Sequence, residues 1–311
     1  MMKLPSTIQH FRHTEIDKAK WDECIQSCAF GLIYARSFYL DNMAAGWNAL
    51  IGEDYGWVFP LTSKKKYGVT YLYQPPFCQQ LGVFTKPSVE VPFTKIFEWL
   101  KNNFSFWEIN LNHSTDSNSI TLPVEFNTAT NFILNLAEDY TSIASRYKND
   151  LTKNIDRSKK LELKFQRHND YNKVIDLFMK YYSGRLSNIS LADYQRFRNI
   201  CAYAKEEKTL LCREVVSSSN ELMSIALILI EGKRLYNLMN VTTAAGRRVE
   251  ANHFLLDSII KEHSGKELIF DFEGSDVPGI KSFYRGFGAE NQPYYPIKYN
   301  NLPWPWKWLK R

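Results

Sequence analysis

The stretch ELIFDFEGSDVPGIKSFYRGFGAE, Glu267–Glu290, decides how this chain is read. Glu267 to Phe272 has the apolar content of a strand, and Asp271 and Glu273, two residues apart at the strand's end, share one face. A carboxylate at that place takes a proton from an amine nucleophile if its pKa and reach suit the task. It serves equally well as a helix cap or as the partner of an arginine. Gly279 to Phe287 then reads as a short helix carrying Tyr284.

Just upstream, NLMNVTTAAGRRVEANHFLL (Asn237–Leu256) reads as a strand, a small-residue turn with Gly246, and the start of a helix with Arg247 and Arg248 in succession. A helix amino terminus exposes unpaired amides and a positive dipole end, so phosphate binds there readily and an arginine adds charge-assisted bonds. The same spacing also fits an ordinary strand-to-helix turn with exposed arginines. The helix runs from about Arg248 to His263 and the final strand from Tyr294 to Tyr299.

Farther upstream, Ile143, Tyr147, Leu151, Ile155 and Ser158 recur on one face of a long helix. Between Thr141 and Asp170 eight Lys or Arg stand against four acids, which reads as a solvated helix face. Helices follow at Asn172–Tyr182 and Leu191–Glu206, then strands at Thr209–Val216, Glu221–Glu231 and Arg234–Val241. The first part of the chain opens with a helix at Asp17–Ser27, a strand near Leu32–Ala35 and a helix from Ser37. Strand-like runs at Trp47–Gly52, Tyr55–Thr62 and Val69–Tyr73 suggest an antiparallel meander. QPPFCQQLGVF (Gln74–Phe84) is a loop stiffened by Pro75 and Pro76. On it Gln79 and Gln80, with Tyr39 nearby, are candidates for shaping an acceptor pocket. A helix at Val91–Asn103, a strand at Trp107–Leu111 and a run ending at ATNFILNL close the first unit near residue 136.

At 311 residues the chain exceeds one ordinary hydrophobic core, so two domains are expected, residues 1–136 and 137–311. The 44% hydrophobic and 23% charged fractions exclude disorder. The amino-terminal MMKLPSTIQHFRHTEI lacks a secretory h-region and Met223 to Ile230, the longest apolar run, is too short to span a bilayer, which places the chain in the cytoplasm. Five cysteines without metal-type spacing read as reduced thiols. Histidines 113, 253 and 263 stand singly and read as packing or surface, so no metal is expected. The net charge of +6 fits an anionic cofactor or substrate as well as a nucleic acid. The tail NLPWPWKWLKR reads as an arm packed over a groove or as an interfacial contact with a membrane surface.

The segment AGRRVEANHFLLDSIIKE followed by a strand and FYRGFGAE resembles the closing half of GNAT acetyltransferases. RYKNDLTKNIDRSKK (Arg146–Lys160) is similar to the basic helix opening the second domain of Fem-type, double-GNAT proteins, and FDFEGSDVPGIKSFYRGFG looks like their closing signature. With QPPFCQQLGVF the resemblance covers most of the chain. It implies an α/β (α+β) fold of two tandem GNAT-like domains, each a mixed, largely antiparallel sheet flanked by helices. It also implies acyl transfer from acyl-CoA or acetyl-CoA to an amine, the acceptor being a small molecule or a cell-envelope precursor.

In that reading Glu273 or Asp271 deprotonates the acceptor, strand amides at Asn240, Val241 and Thr242 polarise the carbonyl, and Tyr284 protects the leaving thiolate. Gly246, Arg247, Arg248, Ala251 and Asn252 would then hold the cofactor, although Glu250 or Ala251 stands where the usual pyrophosphate loop has its first glycine. The alternative donor is an aminoacyl-tRNA, delivering to a peptidoglycan or cell-envelope precursor; Fem ligases that use it tend to have Lys where this chain has Tyr284, which argues against tRNA. DNA is not an expected partner. A catalytically silent binding protein on the same fold is the third reading.

Overall fold

The computed structural model describes residues 8–115, 124–186, 188–274, 276–304 and 307. Along the chain come β1 (Gln9–Phe11), α1 (Lys18–Ser27), α2 (Ser37–Met43), β2 (Asn48–Ile51), β3 (Trp57–Leu61), β4 (Ser63–Lys66), β5 (Val69–Tyr73), β6 (Phe84–Thr85), α3 (Phe93–Asn103), β7 (Phe106–Leu111) and β8 (Glu125–Phe126). There follow β9 (Phe132–Asn135), α4 (Tyr140–Ala144), α5 (Asn149–Lys159), β10 (Lys164–His168), α6 (Tyr171–Tyr182), α7 (Leu191–Glu206), β11 (Leu210–Val216), β12 (Leu222–Glu231) and β13 (Arg234–Thr242). The last elements are α8 (Ala244–Arg248), α9 (Ala251–His263), β14 (Ile269–Asp271), α10 (Pro278–Gly286), β15 (Glu290–Asn291) and β16 (Tyr295–Asn300).

The chain forms two compact units, residues 1–129 with 293–311, and 130–292. Both boundaries differ from the expected division after residue 136. The run FILN, placed by sequence at the end of the first unit, is β9 and pairs with β14 and β15 of the second. The final strand, placed in the second unit, is β16 and pairs with β7 and β8 of the first. Each strand alternates correctly in either sheet, so periodicity fixes its faces and leaves its neighbours open.

In the first unit the expected meander is divided between two sheets, of order β1-β2-β3-β6 and β4-β5-β7-β16-β8. The strand expected at Leu32–Ala35 is instead a 3-10 turn at Ile33–Ala35, wholly buried. The second unit has one seven-stranded sheet, β10-β11-β12-β13-β14-β9-β15, antiparallel except for the parallel β13–β14 pair. This is the mixed α/β architecture expected.

The long basic helix is two helices: Asp139 caps α4 by accepting from Ser142 N, and α5 starts afresh at Asn149. The stripe of Ile143, Tyr147, Leu151 and Ile155 still reaches one core, shared with Leu255, Leu256, Ile259 and Ile260 of α9. The helix expected from Arg248 is likewise broken, because Glu250 is left-handed at φ 56° and separates α8 from α9. Among the described residues no helix is long and apolar enough to cross a membrane.

Candidate active site

β14 ends at Asp271, level with Tyr236 of β13, but β13 continues to Thr242. From Asn237 onward the edge of β13 that faced β14 therefore has no strand partner among the described residues. On its other side β13 pairs with β12, where Leu229 meets Tyr236 and Leu227 meets Met239, so β13 carries one extra residue and bulges at Asn237 and Leu238. Asn237, 4% exposed, keeps its Oδ1 buried without a hydrogen-bond partner, and so does Asn240 its Nδ2. Two buried side-chain amide atoms without partners on one strand are unusual in a folded interior. Asn240 was expected there; the pair of asparagines in an otherwise apolar strand is the signal that could have pointed to Asn237.

Asp271 sits at the root of this opening and is 1% exposed. Its Oδ2 lies 2.8 Å from Arg234 Nε and accepts from Asn131 Nδ2 at 3.3 Å. Arg234 in turn donates to Gln292 Oε1 at 2.6 Å. A carboxylate so held has its Oδ2 committed to Arg234 and Asn131. Its other oxygen, Oδ1, accepts from Glu273 N at 2.9 Å and so turns the chain out of the strand. Neither Arg234 nor Asn131 was singled out from the sequence, since each is remote from Asp271 along the chain.

Glu273 is thereby fixed in a left-handed conformation, φ 56°. Gly274 follows it because a Cβ there would lie 1.7 Å from the Thr130 carbonyl oxygen, which backbone cannot yield cheaply. Burial pushes the Glu273 carboxyl up to about 8. The Tyr284 ring packs on Phe272 at 4.9 Å between centroids and on Phe283 at 5.6 Å. Burial raises its phenol pKa, and the nearby charges of Glu273 and Asp271 raise it further. Of the three expected catalytic residues, Glu273 and Tyr284 are thus electrostatic neighbours with shifted proton affinities, and Asp271 positions the first.

The expected cofactor turn is built differently. Gly246 is buried, and a Cβ on it would stand 2.0 Å from Met223 O, so the glycine lets α8 close on β12. Thr243 Oγ1 caps α8 through Gly246 N at 3.0 Å, and the amides of Arg247, Val249 and Glu250 donate to Thr243, Gly246 and Arg247 carbonyls. Arg247 Nη1 turns back to donate to Thr242 O at 2.9 Å, while Arg248 is exposed. Ser158 of α5, fully buried, donates to Val249 O at 2.8 Å and lies 3.2 Å from Glu250 O. Ala251 is wholly buried, as is Val241; Thr242 Oγ1 lies 3.2 Å from Ser224 Oγ. Asn252 is half-buried with Oδ1 unpartnered. The amides of Gly246, Arg247, Val249 and Glu250 are thus engaged within the turn and α5 packs on its carbonyls, while Gly246 and Ala251 are buried where α8 and α9 begin.

In the first unit the pocket residues expected from sequence hydrogen-bond within the unit. Tyr39 is fully buried and its hydroxyl donates to Phe77 O at 2.5 Å. Gln80, 1% exposed, accepts from His113 N at 3.1 Å and donates to Gln79 Oε1 at 2.6 Å. On the same proline-stiffened loop Gln74 Nε2 donates to Cys78 O at 2.8 Å, tying the loop to its own backbone. All five cysteines are buried, and burial pushes the thiols of Cys24 and Cys212 up to about 12. Among the described residues no group of three His, Cys, Asp or Glu is placed to hold a metal. Most of the tail lies outside the described residues; Trp304 within it is exposed.

No protein-family model and no curated protein matches the chain by sequence. Solved structures do match its fold. A structure of FemX superposes with a TM-score of 0.67 at 13% identity, covering 97% of this chain and 99% of FemX. The C-terminal domain of a putative lysylphosphatidylglycerol synthetase from Agrobacterium fabrum gives 0.57 at 11% identity over 91% and 93%. L-PGS from Bacillus licheniformis gives 0.55 at 10% identity over 94% and 95%. The chain therefore has a GNAT-like fold. Within that class it is similar to FemX over nearly its whole length.

Proposed function

We propose that the chain is an acyltransferase that delivers an acyl group to an amine acceptor at the open edge of β13, with Glu273 as general base. The observation that carries this reading is the Glu273 carboxyl, pushed up to about 8 and presented by a rigid turn beside the Tyr284 phenol. A base is most effective when its pKa lies near the working pH. Tyr284, whose proton affinity is raised, stays protonated and serves as a hydrogen-bond donor to charge developing on the leaving atom rather than as an acid. The free β13 edge, with the Asn240 amide, offers donors for the reacting carbonyl. Acyl-CoA or acetyl-CoA is the donor suggested by the sequence. With several amides of the α8–α9 turn engaged within it, the reaction is written as acyl transfer with no step routed through CoA.

Turnover of a panel of acyl and aminoacyl thioesters with amines, followed between about pH 6 and 9, tests it. The expected profile has a rising limb near pH 8 that disappears in Glu273→Gln, and Tyr284→Phe loses turnover while keeping its circular dichroism. Consumption unchanged in both variants sinks the proposal. A second reading, aminoacyl transfer from charged tRNA to a cell-envelope precursor, is favoured by the packing of α5 across the α8–α9 turn. Binding of charged tRNA that weakens steeply with salt would support it. A silent binding protein predicts no turnover in any arm, and a tail contact with anionic vesicles would show in co-sedimentation.

A further inference from the structure

A cavity of about 370 Å³ opens between α5 and α10, with His253 of α9 at its back. This is the small end of the range for ligand pockets and suits a compact metabolite. None of Asp271, Glu273 and Tyr284 lines it, although Phe283, which does, packs on the Tyr284 ring.

Its charged rim comes from α5: Lys148 at the cap and Asp150 in the first turn, both exposed. Lys148, the extended cap residue, and Asp150 form no ion pair with each other. Neither makes an ion pair with a described residue. Their neighbours differ: Arg146 is bound by Glu138 at 2.7 Å, and Lys159 lies 3.9 Å from Asp257.

The interior holds an imidazole between an amide and a carboxylate, its buried Nδ1 without a hydrogen-bond partner. Asn154 Nδ2 donates to His253 Nε2 at 3.3 Å, and His253 Nδ1 faces Glu250 Oε2 at 3.1 Å. Burial lowers the pKa of this imidazole, so it stays neutral. Phe283, which meets the His253 ring edge-on at 4.8 Å, supplies apolar surface. A polyphosphate would bring several negative charges to one lysine opposite Asp150, with Glu250 behind the histidine. A molecule of zero net charge, with both charges at one end and an apolar body, matches the site.

We infer that this cavity binds a free α-amino acid, its carboxylate on Lys148, its ammonium on Asp150 and its apolar side chain over Phe283. Calorimetric titration of the full chain with L-leucine and L-phenylalanine tests this, alongside the amine and acid analogues that carry only one charge. Removing either charge leaves one rim group unmatched and should weaken binding at least about tenfold.

Gly279 lines the cavity, and a Cβ there meets nothing within 4 Å. Gly279→Leu should therefore fill the space without disturbing the backbone and abolish binding, while Gly279→Ala retains it; melting curves verify the fold of both. The inference is overturned if no amino acid binds at about 10 mM, if a singly charged analogue binds equally well, or if Gly279→Leu binds unchanged. It is also overturned if CoA binds and Gly279→Leu removes that binding instead.

Discussion

Replacing Arg234 by methionine leaves the Asp271 carboxylate, 1% exposed, without the cation 2.8 Å from it. Asp271→Asn leaves Arg234, whose side chain is 10% exposed, in the corresponding position. Breaking one side of a buried pair strands an uncompensated charge and costs about 3–5 kcal/mol, whereas removing both charges costs far less than the sum. Each single variant should lower the melting temperature of the second unit by about 6–20 °C, and the coupling in the double variant should be at least about 2 kcal/mol.

Asparagine keeps the oxygen that accepts from Glu273 N, so the cycle isolates the charge from the turn. The eight tryptophans all fall outside residues 130–292, so their emission reports the first unit. Calorimetry or far-UV circular dichroism must follow the second. If either single variant lies within about 0.5 kcal/mol of the wild type, Asp271 is not held by Arg234 and the positioning of Glu273 loses its support.

Gly246→Ala forces a Cβ to within 2.0 Å of Met223 O. The expected cost in urea denaturation is at least about 1–3 kcal/mol, and a neutral result would show that α8 does not rest on β12. Asp257, 2% exposed and accepting from Tyr140 at 2.8 Å, has a carboxyl pKa raised by burial. A raised folded pKa means stability that is full below the unfolded value and lost as pH rises through the folded one. The stability of Asp257→Asn relative to wild type should therefore improve as pH rises from about 4 to 7. A difference independent of pH would refute the shift.

Much of the second unit was legible because its periods are strong. The helix read at Leu191–Glu206 and the strand read at Glu221–Glu231 are α7 and β12 to within a residue. The stripe from Ile143 to Ser158 was read correctly as a buried face although its helix breaks at Ser145–Lys148, because the break changes the path and not which residues are apolar. The fold class followed from the order of these elements and from the motifs at the chain's end.

What Asp271 and Gly246 do could not be read that way. Both were marked by type and spacing, and both meet a neighbour far along the chain, Arg234 in one case and the Met223 carbonyl in the other. For β9 and β16 the sequence set the alternation, and only the tertiary structure chose the sheet. Glu273 and Tyr284 belong to both levels. The sequence placed a carboxylate and a phenol at the close of the second module, and the burial that shifts their protons came from side chains brought together only by folding. Local pattern fixes which face a residue takes; desolvation and pairing depend on what the rest of the chain packs against that face.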